Sequence, residues 1–480
     1  MPFLNSIRKQ AHFLILMLVL ILALACSQSP QSVKPLPTIP QAFSDSGDTP
    51  LEEKWWMAFN DAGLNAIMEQ ALAENFSLRA AWDRLEQARQ TAIKAGAALL
   101  PSLDGTGSAG RSRTVTDPDH NPSPSKNPRV DYSNHFSLGL AASYEVDLWG
   151  RLRAAQSAAG LDVQATREDL DAAAISLTAR IAETWFLLIE KKVELAILDE
   201  QYKTNKKQLN LIDLKFRRGK ADASDVLQQE QVTEGVRGDR ILVMSTIEVL
   251  ENTLAILAGV APGELEYTVP EKLPDPPAMP DTGIPAEWLR HRPDLRAAEL
   301  RVLAADHRVH EAFANRFPRI SLTASASTSS DRYQDLFDNW VASIAANLVA
   351  PLFDAGLRKA EVARTRAVVS QHLNEYSQAS LEAIKEVEDA LTQERRQAEY
   401  LESLGRQLQF SKDASDRILD NYIGGSADFN RYLTALLAWQ RLQVNYLRGR
   451  NTLITYRIDL YRALAGSWPM QEPVAQEISE

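Results

Sequence analysis

A mainly α-helical protein with a small β part, built from two copies of one half, is the fold class this sequence predicts, and three features carry that expectation. The stretch Asn75 to Leu103 returns without a gap at Arg292 to Ile320, with Leu78-Arg79-Ala80-Ala81 answering Leu295-Arg296-Ala297-Ala298 and Pro101 answering Pro318. Hydrophobicity alternates with a period of two in short stretches after each copy, the pattern of a strand with one apolar face. Proline is absent between Pro128 and Pro262 and again between Pro351 and Pro469, where apolar residues recur at helical spacing. Such a long period marks a duplicated structural half, since stacking repeats run to about 20 to 50 residues. Function is then to be sought where the two halves meet.

The elements come in order. Residues 1–25 have the basic, apolar and small-residue regions of a secretory signal, with Arg8 and Lys9 ahead of Phe13 to Ala25. That apolar run is shorter than the roughly 20 residues of a membrane-spanning helix. Cys26, the chain's only cysteine, comes directly after it and is the expected lipid acceptor, with Ala23 where that pattern usually has Leu. The other reading is a free thiol left by ordinary signal cleavage. With no second cysteine there is no internal disulfide, so packing alone must hold the fold. Residues 26–50, rich in Pro, Ser and Gln, read as a tether.

Residues 51–100 read as first-repeat helices with a break near Gly63, ended by Pro101. In 101–148 Phe136, Leu138, Leu140, Ala142, Tyr144 and Val146 alternate with polar and small residues, and a weaker partner strand lies around Ser102 to Arg111. Between them Asp117 to Pro128, with four prolines, reads as an exposed loop. Residues 149–260 form a long helical hairpin, and taking Arg151 to Phe216 as one helix gives a rod of roughly 100 Å. Its small residues, among them Ala154, Ala158 and Ala159, suit close helix approach. Residues 261–285 read as an irregular linker, with seven prolines between Pro262 and Pro285. The second half then repeats the plan: a helix at 286–317, a β-hairpin at 318–350, a long helical hairpin at 351–466 and a tail at 467–480. At the later joints Asp147-Leu148-Trp149 answers Pro351-Leu352-Phe353, and Gly219-x-Ala221-Asp222 answers Gly425-x-Ala427-Asp428.

Those last two segments interrupt each helical stretch once. A glycine supplies the left-handed residue that stops a helix, and Asp222 or Asp428 can cap the next one, so each is a hairpin tip. Four strands cannot close a barrel, because small closed barrels need about eight. If the apolar faces look into lipid, several chains must pool their strands.

Composition and motifs limit the chemistry. The chain of 480 residues is 45% hydrophobic and 24% charged, ordinary for a soluble fold and unlike a helical membrane bundle. A net charge of −11 without a long Lys/Arg cluster points away from nucleic acid. No Gly-rich phosphate loop, His-Glu-x-x-His pair or Gly-x-Ser-x-Gly elbow occurs. His310-Glu311 has Ala314 where the second histidine would stand. The expectation is no enzyme, no metal and no cofactor.

Four motifs in order now carry a resemblance: Glu287-Trp288-Leu289-Arg290-His291-Arg292-Pro293-Asp294-Leu295-Arg296, Phe317-Pro318-Arg319-Ile320-Ser321-Leu322-Thr323, Tyr144-Glu145-Val146-Asp147-Leu148-Trp149-Gly150-Arg151-Leu152 and Pro351-Leu352-Phe353-Asp354-Ala355-Gly356. With them the chain from Trp55 to Trp468 resembles the outer-membrane efflux factors, the TolC-like proteins, and within them the lipoprotein branch of resistance-nodulation-division pumps. The resemblance implies a homotrimer in which four strands per chain build a membrane β-barrel in outer-membrane lipid, continued by a long α-helical barrel across the periplasm. It implies a passive conduit for drugs or toxic solutes, docked through its hairpin tips at Gly219 and Gly425 to a periplasmic membrane-fusion adaptor and an inner-membrane transporter.

The resemblance also implies that the second-half tip faces the lumen and narrows the periplasmic aperture with acidic residues. Here the usual acidic position six beyond the glycine is Arg431 and the one three further is Thr434, leaving Asp428 as the nearest acid. An Asp428 and Arg431 pair at the aperture is therefore expected. On the other tip Asp222 and Asp225 either hold the closed state or only cap a helix. Two other functions stay open: the exit duct of a type I protein secretion system, and a structural envelope lipoprotein, which would have no need of lipid-facing strands.

Overall fold

The computed structural model describes residues 39–116 and 129–464. The signal, Cys26, the loop at 117–128 and the tail from residue 467 lie outside the described residues. From residue 39 the chain is already docked: Phe43 is buried edge-on against Trp288, and Thr49 bridges Pro280. The tether therefore does not extend to residue 50, because an aromatic anchor on this stretch finds an apolar seat.

After a single 3-10 turn at Trp55–Phe59 come α1 (Ala62–Glu74) and α2 (Phe76–Ala97). The break expected near Gly63 falls instead at Asn60, which is left-handed, and again at Asn75. Asp61 and Asn75 cap the two helices by accepting the N–H groups of Leu64 and Leu78, each at 3.0 Å. Gly63 sits inside the first turn of α1 for a different reason. A Cβ there would stand 2.4 Å from the Thr268 carbonyl oxygen and 2.8 Å from the Trp185 ring.

The strands are β1 (Ser102–Thr116), β2 (Arg129–Val146), β3 (Arg319–Ser330) and β4 (Trp340–Val349), an antiparallel sheet in the order β1-β2-β3-β4. The expected weak partner of β2 is thus a full strand: its glycines and serines give little hydrophobic signal, but every residue is paired. Two helical hairpins come after the two strand pairs, α3 (Arg151–Arg217) with α4 (Ala223–Ala258), and α6 (Leu357–Ile423) with α7 (Phe429–Leu464). Both first arms have 67 residues and both second arms 36, and α5 (Pro293–Ala314) matches α2 at 22 residues.

The main core gathers Trp55, Trp56 and Phe59 against Trp185 and Phe186 of α3, Leu254 of α4 and Ile454 and Ile458 of α7. A second cluster seats Trp288 and Leu295 on Val387 and Leu391 of α6 and Leu460 of α7. The linker is pinned to the same place, since Arg450 donates to the Leu273 and Pro274 carbonyls and pairs with Asp275. Arg457, buried in α7, pairs with Glu394 and donates to the Pro277 carbonyl. In α3 the buried Ala154, Ala158 and Ala159 allow the close approach expected of them.

Candidate functional site: the two-faced sheet and the helical tips

Register fixes which side chains share a face of the sheet. Leu103 lies opposite Ala142, Ala109 opposite Phe136, Leu140 opposite Ala326, Leu322 opposite Ala346 and Thr328 opposite Trp340. With Leu138, Tyr144, Ile320, Ile344 and Leu348 these make one face largely apolar. The other face carries hydroxyls: Ser108 bonds Ser137 at 2.8 Å, Ser112 bonds Ser133 at 2.6 Å, and Ser325 bonds Ser343 at 2.8 Å. Among the described residues nothing covers the apolar face, with Ile344 88% and Leu348 68% exposed. Among the described residues strands β1 and β4 each have an unpaired edge, a row of donors and acceptors that only another strand satisfies in lipid.

The sheet is joined to the helices by two similar corners. Gly150 and Gly356 are left-handed, at φ 72° and 88°, and each precedes a long helix. The Asp147 carboxylate accepts from the backbone N–H groups of Leu152 and Arg153, both at 3.0 Å. Asp354 does the same for Gly356 at 3.0 Å and Arg358 at 3.3 Å. Burial pushes Asp147 up, but the backbone bonds from Arg153 and Leu152 outweigh it and hold its carboxyl below the usual range. The cap thus makes Asp354 the counterpart of Asp147, where sequence matching alone set Asp147 against Pro351. The corner is braced by Trp149, whose Nε1 donates to the Pro318 carbonyl at 2.7 Å while its ring stacks on Phe317 at 4.8 Å.

At the far ends of the hairpins the tips are built alike. The N–H of Lys220 donates back to the Lys215 carbonyl, and that of Ser426 to the Asn421 carbonyl, at 2.8 and 2.9 Å. In both tips a left-handed glycine makes this closure, Gly219 at φ 64° and Gly425 at φ 82°. Asp222 and Asp225 form a mutual capping box at the start of α4, the N–H of Asp222 donating to Asp225 Oδ2 at 3.3 Å. Asp428 accepts the backbone N–H of Arg431 at 2.7 Å. Its carboxylate is therefore engaged by the helix end and, within the chain, does not form the expected ion pair with the Arg431 guanidinium.

Sequence reasoning missed what lies between the tips. Tyr422 stacks on Tyr432 at 6.0 Å, Phe429 packs beside both, and Ile212 and Leu436 complete the cluster. Lys215 Nζ lies 3.7 Å from the Tyr422 ring centre, and burial pushes its ammonium below the usual range, helped by Lys220. Burial pushes the Tyr432 phenol up to about 12. The legible signal was aromatic spacing around Gly424-Gly425, at three before and four and seven after. Further along, a buried amide layer ties the two hairpins together. Gln201 Nε2 donates to the Gln440 carbonyl at 3.0 Å, Asn205 Nδ2 to Gln440 Oε1 at 3.4 Å, and Gln229 Nε2 to the Asn205 carbonyl at 3.2 Å. Beyond it Arg448 pairs with buried Glu194 at 2.6 Å.

A sheet apolar on one side and hydroxylated on the other, continued by two rods of about 100 Å, has the parts of a membrane-anchored conduit wall. The comparisons agree with that reading. The outer membrane efflux protein family model matches residues 67–260 and 284–466. Over 436 residues the chain is 30% identical to the pyoverdine export outer membrane protein OpmQ of Pseudomonas aeruginosa, covering 88% of this chain and 89% of that one. Over 459 residues it is 27% identical to the cation efflux system protein CusC of Escherichia coli, covering 92% and 96%. Among solved structures, the outer-membrane channel OprN superposes with a TM-score of 0.80 at 26% identity, covering 92% of this chain and all of that one. This chain belongs to the outer membrane efflux protein family.

Proposed function

We propose that three copies of this chain pool their sheets, three times four strands, into one twelve-stranded barrel whose apolar face meets lipid and whose hydroxyl face lines the lumen. The observation that carries this is the sheet itself, two-faced and open at both edges. Oligomer formation is also favoured by α4, where Leu242, Val249 and Ile256, spaced by seven, are 69%, 58% and 61% exposed. Such a stripe requires a neighbouring helix. The equal helix lengths of the two halves support their origin by duplication, with the long hairpins as equivalent staves of a helical barrel.

Docked to a membrane-fusion adaptor and an inner-membrane pump, the trimer is a passive conduit for small solutes. The relatives named for pyoverdine export and cation efflux favour such solutes over polypeptides. The tips at Gly219 and Gly425 are the docking elements, and Asp222, Asp225, Asp428 and Arg431 border the periplasmic aperture. Cys26 carries the lipid anchor. One measurement tests assembly and anchor together: native mass spectrometry of the detergent-extracted protein. The expected mass is three mature chains, each heavier than its polypeptide by a lipid modification. A monomer would overturn the architecture, and three unmodified chains would overturn the anchor.

A further inference from the structure

The continuous apolar face of the sheet is interrupted beyond Phe136 by two arginines, with Val115 and Val130 paired further out on the same face. From Val146 to Phe136 the face runs ten residue steps along β2. At about 3.4 Å per residue and a tilt near 40° that spans roughly 26 Å, the height of a lipid-facing band in an outer-membrane barrel. Trp340, 72% exposed, lies beside its upper edge. β3 and β4 stop there, while β1 and β2 continue as a two-stranded ribbon. On the lipid-side face of that ribbon stand Arg111, opposite Asn134, and Arg113, opposite Tyr132. Both guanidinium groups lie over the Tyr132 ring, at 5.2 and 6.0 Å from its centre.

Two arginines held against one aromatic ring are thus placed about 5 to 10 Å beyond the apolar edge. That is where lipid headgroups lie and where aromatic girdles sit. Guanidinium groups bind phosphate through paired N–H donors, and stacking on a ring reduces the freedom each loses on binding. We propose that Arg111, Arg113 and Tyr132 form a binding site for the phosphate groups of an outer-leaflet glycolipid, one site on each chain of the barrel. The site would lock the barrel against its surrounding lipid shell and set its depth. It rests on the reading of the apolar face as lipid-facing.

The full-length protein and the double variant R111Q/R113Q, purified in detergent, test it by titration with bis-phosphorylated lipid A, the same lipid dephosphorylated, and inorganic phosphate as competitor. The parent should bind the phosphorylated lipid more tightly than the dephosphorylated one. The variant should lose roughly 25-fold, about fivefold for each arginine, and the difference should shrink at high salt. Inorganic phosphate at equal concentration should not displace the lipid. Equal affinity for the two lipids, an unchanged variant, or displacement by free phosphate would each overturn the lipid site. Both proteins are also inserted into planar bilayers. If both conduct alike while lipid binding fails to differ, this site alone is wrong; if neither conducts, the lipid-facing sheet is wrong and this site falls with it.

Discussion

Gly63 illustrates how a single residue reads one way in sequence and acts another way in space. It lies in the second position of α1, where the backbone is helical, and its lack of a side chain lets α1 approach Trp185 and the Thr268 carbonyl. Trp185 is held by its own bond from Nε1 to Asp61 at 2.8 Å, so it cannot swing aside without cost. Gly63→Ala should destabilise the protein by about 1 to 3 kcal/mol through overpacking, visible as a lower apparent unfolding temperature; a variant as stable as the parent would mean that this contact yields freely. Asp171 of α3 is a second case. It is buried, 3.7 Å from Arg167, and its Oδ1 lacks a hydrogen bond, while Glu168 stands one turn away. Burial pushes its carboxyl from 3.8 up to about 6, and burial raises Glu168 as well despite Arg296. Because the folded value lies above the unfolded one, the contribution to stability is fully present below pH 3.8 and lost as pH rises through about 6. Asp171→Asn should raise the apparent unfolding temperature at pH 7 and flatten its change between about pH 4 and 6. An unchanged slope would show that the group does not titrate there.

The helical tips are elements whose geometry separates folding from docking. A Cβ on Gly425 would meet no atom within 4 Å, so Gly425→Val is strained only by its left-handed backbone, by about 1 to 2 kcal/mol. The hairpin, closed by the aromatic cluster of Tyr422, Phe429 and Tyr432, should survive that. Export of a dye by the assembled pump should nevertheless be lost if the bulk stands at the proposed adaptor contact; full export would remove the tip from the docking site. The cap of α7 adds a second separation. Asp428 takes the backbone N–H of Arg431 rather than its guanidinium, so Arg431→Ala removes a charge and leaves the cap intact. In the proposed trimer this takes three positive charges from the aperture and leaves the capped Asp428 carboxylates in a more negative field, so resting conductance in a planar bilayer should rise and favour cations. Parent-like conductance would assign these charges to capping and solvation alone.

At the scale of the whole molecule, an outer membrane efflux protein has to satisfy lipid, water and a long periplasmic gap with one chain. Much of that was legible in order along the sequence. The period of two from Phe136 to Val146 marked a strand with one apolar face, and the proline-free runs marked the rods. The glycines at 219 and 425 marked their turns. Those properties are local, written in propensity and spacing, and each survives without knowledge of its neighbours. The sheet order, the full length of β1 and the seat of Phe43 were not legible, because pairing partners distant in the chain decide them. The same holds for the cap that makes Asp354 the counterpart of Asp147, and for the Gln201, Asn205, Gln229 and Gln440 layer. A polar residue on a helix reads as solvated until packing places another amide within reach. The sequence by itself determined which segments are rods, strands and turns; tertiary structure decided which faces are covered and which stay exposed, since burial belongs to contacts between segments.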